Sequence, residues 1–205
     1  MKPDDEPLPG EFLATLRDLE RSYLAETDPI RQSGFGGGPQ RWLDERGLIL
    51  DALHGDGDFL DVGCANGYLL ECLVGWAAES RIALTPYGVD LGAGLIELAR
   101  KRLSEFADHF WVANAWDWQP PRRFRYVYTL YDCVPAGFLE RYVARLLTRC
   151  VKPDGRLIVG AYGSRSDGVP APDLARQLAE VGFSVTGSAE CGELPVVRIA
   201  WLDRA

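Results

Sequence analysis

FLDVGCANGYLLECL, residues 59–73, decides how this chain folds. Phe59, Leu60 and Val62 make an apolar strand pattern that carries one acid, Asp61, near its end. Gly63, Ala65 and Gly67 then set a small residue at every second position, and a helical apolar pattern begins at Tyr68. Strand, tight turn and helix in that order open an α/β unit. Small residues let the backbone turn sharply and approach a ligand closely, and the start of the helix offers free N–H groups. Ligands of open α/β sheets sit beyond the carboxyl ends of the strands, where this turn lies.

Working outward, the alternation continues. YGVDL ends a strand, GLIELARKRLSEF is a helix, HFWVAN a strand, RYVYTLYD a strand and AGFLERYVARLLTRC a helix. GRLIVGAY is a strand and APDLARQLAEVG a helix, and FSVTGSA and VVRIAWLD close the chain as two strands. Nearly all-apolar strands alternating with helices predict an α/β fold: a mostly parallel, Rossmann-like, seven-stranded sheet with helices on both faces. The short link ECGELP makes the last strand pair antiparallel. Upstream, GEFLATLRDLERSYLAE has helical periodicity, TDPIRQSGFGGGPQ breaks it, and RWLDERGLILDAL resumes a helix to about Leu53. Residues 1–55 thus read as an N-terminal helical extension and residues 56–205 as the ligand-binding domain.

The 205 residues suit one good-sized domain, with 47% hydrophobic and 25% charged residues. No apolar stretch reaches the roughly 18 residues of a membrane span. The acidic, proline-rich start MKPDDEPLPGEF does not read as a signal peptide, so a cytoplasmic protein is expected. A net charge of -8 argues against a nucleic-acid partner. The one basic cluster, Arg122, Arg123 and Arg125, reads as a solvated edge at a strand entrance. The five cysteines, Cys64, Cys72, Cys133, Cys150 and Cys191, form no C-x-x-C pair, so reduced thiols and no metal site are expected. His54 and His109 precede strands, away from the ligand end.

Two ligand classes use a turn like that of residues 61–67. A dinucleotide wants G-x-G-x-x-G, and G-C-A-N-G-Y-L lacks its middle and last glycines. The spacing D-x-G-x-[G/A]-x-G resembles the first motif of class I S-adenosylmethionine-dependent methyltransferases. Asp90 at the tip of YGVDL, Asn114 and Ala115 after FWV, and LTRCVKPDGRLIVG follow in the order of that family's later motifs. The resemblance covers about residues 56–205. It implies S-adenosyl-L-methionine as cofactor, with the backbone of Gly63, Cys64, Ala65, Asn66 and Gly67 lining its methionine part and Asp61 orienting the turn or reaching the ammonium. It implies that Asp90 holds the ribose, Leu91 packs on adenine, Asn114 and Ala115 read the adenine edge, and Leu130, Tyr131 and Asp132 face the methyl. The family usually has an acid where Asn114 stands, but an amide carbonyl also accepts. The departure at Ala65 is expected to matter little, since glycine is required only where φ is positive or a methyl group collides.

Methyl transfer demands positioning and exclusion of water. A hydroxyl or ammonium nucleophile also needs a proton acceptor, and Asp132 and Tyr131 in TLYDCVP stand after the fourth strand. Asp132 has a second reading, as the N-cap of the following helix. Tyr23, Phe35 and Trp42 flank the glycine-rich loop and read either as core or as a lid over the cofactor. The expected acceptor is a small neutral or cationic molecule, with no nucleic acid and no membrane as partner. A nicotinamide-dependent oxidoreductase and a non-catalytic binding module of the same fold are the alternatives.

Overall fold

The computed structural model describes residues 6–192 and 194–205. The first five residues of the extension and Glu193 of the link ECGELP lie outside them. Seven strands form one sheet: β1 (Gly57–Val62), β2 (Leu84–Asp90), β3 (Phe110–Val112), β4 (Phe124–Leu130), β5 (Val151–Tyr162), β6 (Gly187–Cys191) and β7 (Val197–Asp203). Their order is β3-β2-β1-β4-β5-β7-β6. The pairs from β3 through β5 are parallel, and β7 runs antiparallel to both its neighbours, as the short final link requires. The chain winds outward from β1 through β2 to β3, then returns to start again at β4 beside β1. That reversal opens a crevice at the carboxyl ends of β1 and β4.

The strands are apolar on both faces because both faces are covered. Leu60, Val62, Val127 and Val159 pack on one side with Tyr142, Val143 and Leu146 of α5 (Leu139–Arg149) and Leu174 of α6 (Leu174–Glu180). Phe59, Tyr126, Tyr128 and Ile158 point the other way, onto α3 (Tyr68–Glu79) and α4 (Ala93–Arg102). Trp42 of α2 (Pro39–Arg46), Phe35 and Ile49 join this second core. The N-terminal helix α1 (Gly10–Leu24) buries no residue completely. Its Phe12 and Leu13 lean on the first core.

Several element bounds differ from the periodicity. The second helix stops at Arg46, and residues 47–52 continue as a 3-10 turn that starts at Gly47, the poorest helix former in the stretch after proline. β3 ends at Val112, because the Asn114 side chain accepts from the Trp116 N–H (2.9 Å) and turns the chain. β4 ends at Leu130, and Tyr131–Cys133 form a single 3-10 turn. β5 starts earlier than expected, at Val151, and carries the Pro-Asp-Gly piece with Asp154 at φ +59°. The expected strand from Phe183 begins only at Gly187, since Phe183 and Val185 are drawn into the first core. Among the described residues no helix is long and apolar enough to cross a membrane, and no cluster of metal-ligating side chains occurs. All five cysteines are free.

Candidate functional site

The turn after β1 is left-handed at three alternate residues: Gly63 (φ +90°), Ala65 (φ +44°) and Gly67 (φ +74°). Ala65 therefore occupies a position where φ is positive, against the expectation that its methyl group is immaterial. An alanine held there costs about 1 kcal/mol or more. The turn is pinned from outside: Gly63 and Cys64 donate to the Val89 carbonyl (2.8 and 3.1 Å), and Ala65 N–H donates to Asp90 Oδ2 (2.9 Å). The other oxygen of Asp90 accepts from Gly92 N–H (2.8 Å). One carboxylate thus ties the β1 turn to the β2 turn.

Gly67 serves helix packing. A methyl group on it would stand 2.9 Å from Ala99 Cβ, so the missing side chain lets α3 and α4 meet. The Asn66 side chain, fully buried, donates to the Pro29 carbonyl (3.0 Å) and to Gln32 Oε1 (3.2 Å) and accepts from Tyr68 N–H (3.1 Å). It straps the loop between α1 and α2 to the turn.

A cavity of about 200 Å3 lies over the crevice. Gly63, Asp90, Leu91, Asn114, Ala115, Leu130 and Asp132 line it, gathering residues from four separate stretches of sequence. Asp61, Cys64, Ala65, Asn66 and Gly67 stand behind this wall, and Tyr131 leans on the first core instead. Asp132 does not cap the following helix, whose N-terminal flank is Phe138. The roof is α1, through Leu16, Leu19, Glu20 and Tyr23. Of the aromatic residues considered for a lid, only Tyr23 takes that place. Phe35 and Trp42 are buried edge to face in the second core, 5.3 Å apart.

Burial sets the electrostatics. Asp61 is 3% exposed and accepts no hydrogen bond from the described residues. Its carboxyl pKa is pushed up to about 8 by burial and then by the Asp90 charge, against a lowering pull from Arg46. Arg46, a residue not singled out in the sequence, is 8% exposed. Its Nη1 has no hydrogen-bond partner among the described residues, and its guanidinium lies 3.7 Å from the Tyr162 ring centroid and 4.8 and 5.0 Å from those of Phe35 and Trp42. Arg46 thus favours the ionised form of Asp61, but burial outweighs it, and the two form no ion pair among the described residues. The signal for Arg46 is its place one helical turn after Trp42, on the same face of RWLDER.

Asp132 reaches solvent at the cavity mouth, yet surrounding protein raises its carboxyl pKa, which its own backbone N–H and then Arg46 partly offset. The Tyr23 phenol is raised by burial, then by Asp132 and Asp90. Burial pushes the Cys133 thiol up to about 12 and that of Cys64 well above its ordinary value, so both stay protonated at neutral pH.

A wider cavity, about 720 Å3, opens at the amino ends of β1, β2 and β4. It contains Arg122 and Arg125, on the end of the sheet opposite the crevice. Arg122 and Lys152 (2.7 Å) both pair with buried Asp58, which also accepts from Arg125 N–H (2.6 Å). His109 stacks on Tyr87 with centroids 4.0 Å apart and contacts the Pro86 carbonyl (3.0 Å), remote from the crevice.

No family model and no curated protein matches the sequence. Solved structures match the fold. A protein of Pyrococcus horikoshii OT3 superposes with a TM-score of 0.65 at 16% identity, over 92% of this chain and 99% of the other. A SAM-dependent methyltransferase from Aquifex aeolicus gives 0.58 at 16% identity, over 88% and 100%. The 1,6-didemethyltoxoflavin-N1-methyltransferase of Burkholderia thailandensis, with 1,6-didemethyltoxoflavin and S-adenosylhomocysteine bound, gives 0.63 at 18% identity, over 98% and 93%. With the strand order, the reversal at β4 and the antiparallel β7, these likenesses give the chain the class I methyltransferase fold.

Proposed function

We propose that this chain binds S-adenosyl-L-methionine and transfers its methyl group to a small molecule. The observation that carries the reading is the pair Asp61 and Arg46. A buried acid without a hydrogen-bond donor and a buried cation without an acceptor are each costly alone. Neither side chain lines the cavity itself, and a zwitterion that reaches past the Gly63 turn would satisfy both, its ammonium on Asp61 and its carboxylate on Arg46. The methionine end of the cofactor is such a zwitterion. Asp90 stands on the far side of the turn, where a ribose would lie, and Asn114 and Ala115 stand where an adenine edge would follow. The extension, residues 1–55, acts as lid and wall in this reading, and residues 56–205 as the catalytic domain.

The cofactor supplies a sulfonium-bound methyl group that is already electrophilic. The chain's work is then placement and exclusion of water, by Leu130, Cys133 and Tyr23 around the cavity. Asp132 is the candidate to take a proton from the attacking group or to hold a cationic acceptor. Burial raises its carboxyl pKa, which makes it a stronger proton acceptor than an exposed aspartate. Tyr131, one residue earlier and packed inward, supports that turn. The Burkholderia enzyme, crystallised with a small molecule and S-adenosylhomocysteine, supports a small-molecule acceptor. The charge of -8 gives no field to draw nucleic acid to the crevice.

The test is transfer of labelled methyl from S-adenosylmethionine to a panel of small amines and phenols, to tRNA and to protein. Labelling of small molecules, reduced about tenfold or more in Asp132→Asn, is expected. Robust labelling of tRNA at moderate salt contradicts the acceptor reading.

A further inference from the structure

Glu20 breaks the pattern of its own helix. The inward face of α1 runs Phe12, Leu16, Glu20, Tyr23, and the acid sits between two cavity-lining neighbours on an otherwise apolar stripe. It is anchored there: Oε1 accepts from Gly94 N–H at 3.0 Å, at the start of α4. Gly92 and Gly94 make the approach possible, since a methyl group on Gly92 would stand 3.0 Å from Glu20 Cδ and one on Gly94 2.7 Å from Leu24 Cδ1. The remaining oxygen of Glu20 has no hydrogen bond among the described residues.

We propose that Glu20 is a second carboxylate for the ribose of the cofactor, sharing the vicinal diol with Asp90; this rests on the S-adenosylmethionine reading above. Acceptor capacity supports it. A carboxylate has about four acceptor positions. The amides of Ala65 and Gly92 each take one on Asp90, and the Leu91 amide acts on it as well. Little remains for two hydroxyl donors. Charge supports it too: burial, and after it the Glu20 charge, raise the Asp90 carboxyl pKa, and no lysine or arginine lines the cavity to neutralise the pair. A neutral diol brings two donors between two acids without adding charge. Glu20 thus makes the lid part of the binding site and couples closure of α1 to an intact ribose.

The experiment is calorimetry of S-adenosylhomocysteine and its 2′-deoxy and 3′-deoxy analogues with the wild type, Glu20→Ala and Glu20→Gln. Glu20→Ala is expected to weaken S-adenosylhomocysteine about tenfold or more, and Glu20→Gln, which keeps a carbonyl acceptor, by less. For one of the two deoxy analogues the loss in Glu20→Ala is expected to vanish, because the hydroxyl it serves is already gone. Unchanged affinity in folded Glu20→Ala overturns the inference. So does an equal loss for all three ligands, which marks a lid that merely packs. A wild type that does not bind S-adenosylhomocysteine overturns the methyl-transfer reading itself, and this inference with it.

Discussion

A carboxyl group enclosed by protein loses the water that stabilises its charge, and at Asp61 no protein donor replaces that water. Its ordinary pKa is about 4, and in the folded chain it is about 8. The folded state therefore holds this proton more tightly than the unfolded state. The resulting stabilisation is complete below pH about 4 and is lost as pH rises through about 8. Asp90 and Asp132 are shifted the same way. The melting temperature of the unliganded protein is thus expected to fall between pH 5 and pH 9, and Asp61→Asn to flatten that fall. A fall that is equally steep in the variant contradicts the assignment. The places of Asp61, Gly63 and Asp90 were legible in the sequence because they follow from the ends of strands and from one local turn. Arg46 was not, because its setting exists only once α2 has packed against Tyr162 of β5. The left-handed Ala65 escaped notice for a related reason: the neighbouring turn holds it through Asp90.

At the scale of elements, Gly67 decides how closely α3 and α4 approach. Its φ of +74° and the 2.9 Å gap between an added methyl group and Ala99 Cβ act together. Gly67→Ala is expected to lower stability by about 2 kcal/mol or more, read from denaturant unfolding with an unchanged slope. A loss below about 0.5 kcal/mol contradicts the packing argument. The long helices and all seven strands were legible from periodicity, though several of their ends were not. The strand expected over RYVYTLYD runs through Tyr131 and Asp132, yet both leave the sheet in a 3-10 turn. Helix α1 was legible as amphipathic, but not which of its side chains line the cavity, since that depends on Gly92 and Gly94 across the crevice.

For the whole molecule, strand order follows from strands that are apolar on both faces and from one short final link. The sheet separates two unlike ends. The carboxyl end gathers Asp61, Asp90, Asp132 and the roof of α1. The amino end gathers Arg122, Arg125 and Lys152 around Asp58, in the wider cavity. Size alone favours the amino end. A buried nitrogen without a partner occurs at both ends, Arg46 Nη1 at one and Arg125 Nε at the other, but chemistry favours the carboxyl end, where the glycine turn, Asp61 and Asp90 meet and where open α/β sheets take their ligands. The most direct test is calorimetry of the purified protein with S-adenosylhomocysteine and, separately, NAD. Binding of S-adenosylhomocysteine at one site per chain, weakened about tenfold or more in Arg46→Gln, with no heat from NAD, is the expected result. Saturable binding of NAD, or no binding of S-adenosylhomocysteine by the folded protein, would contradict the account.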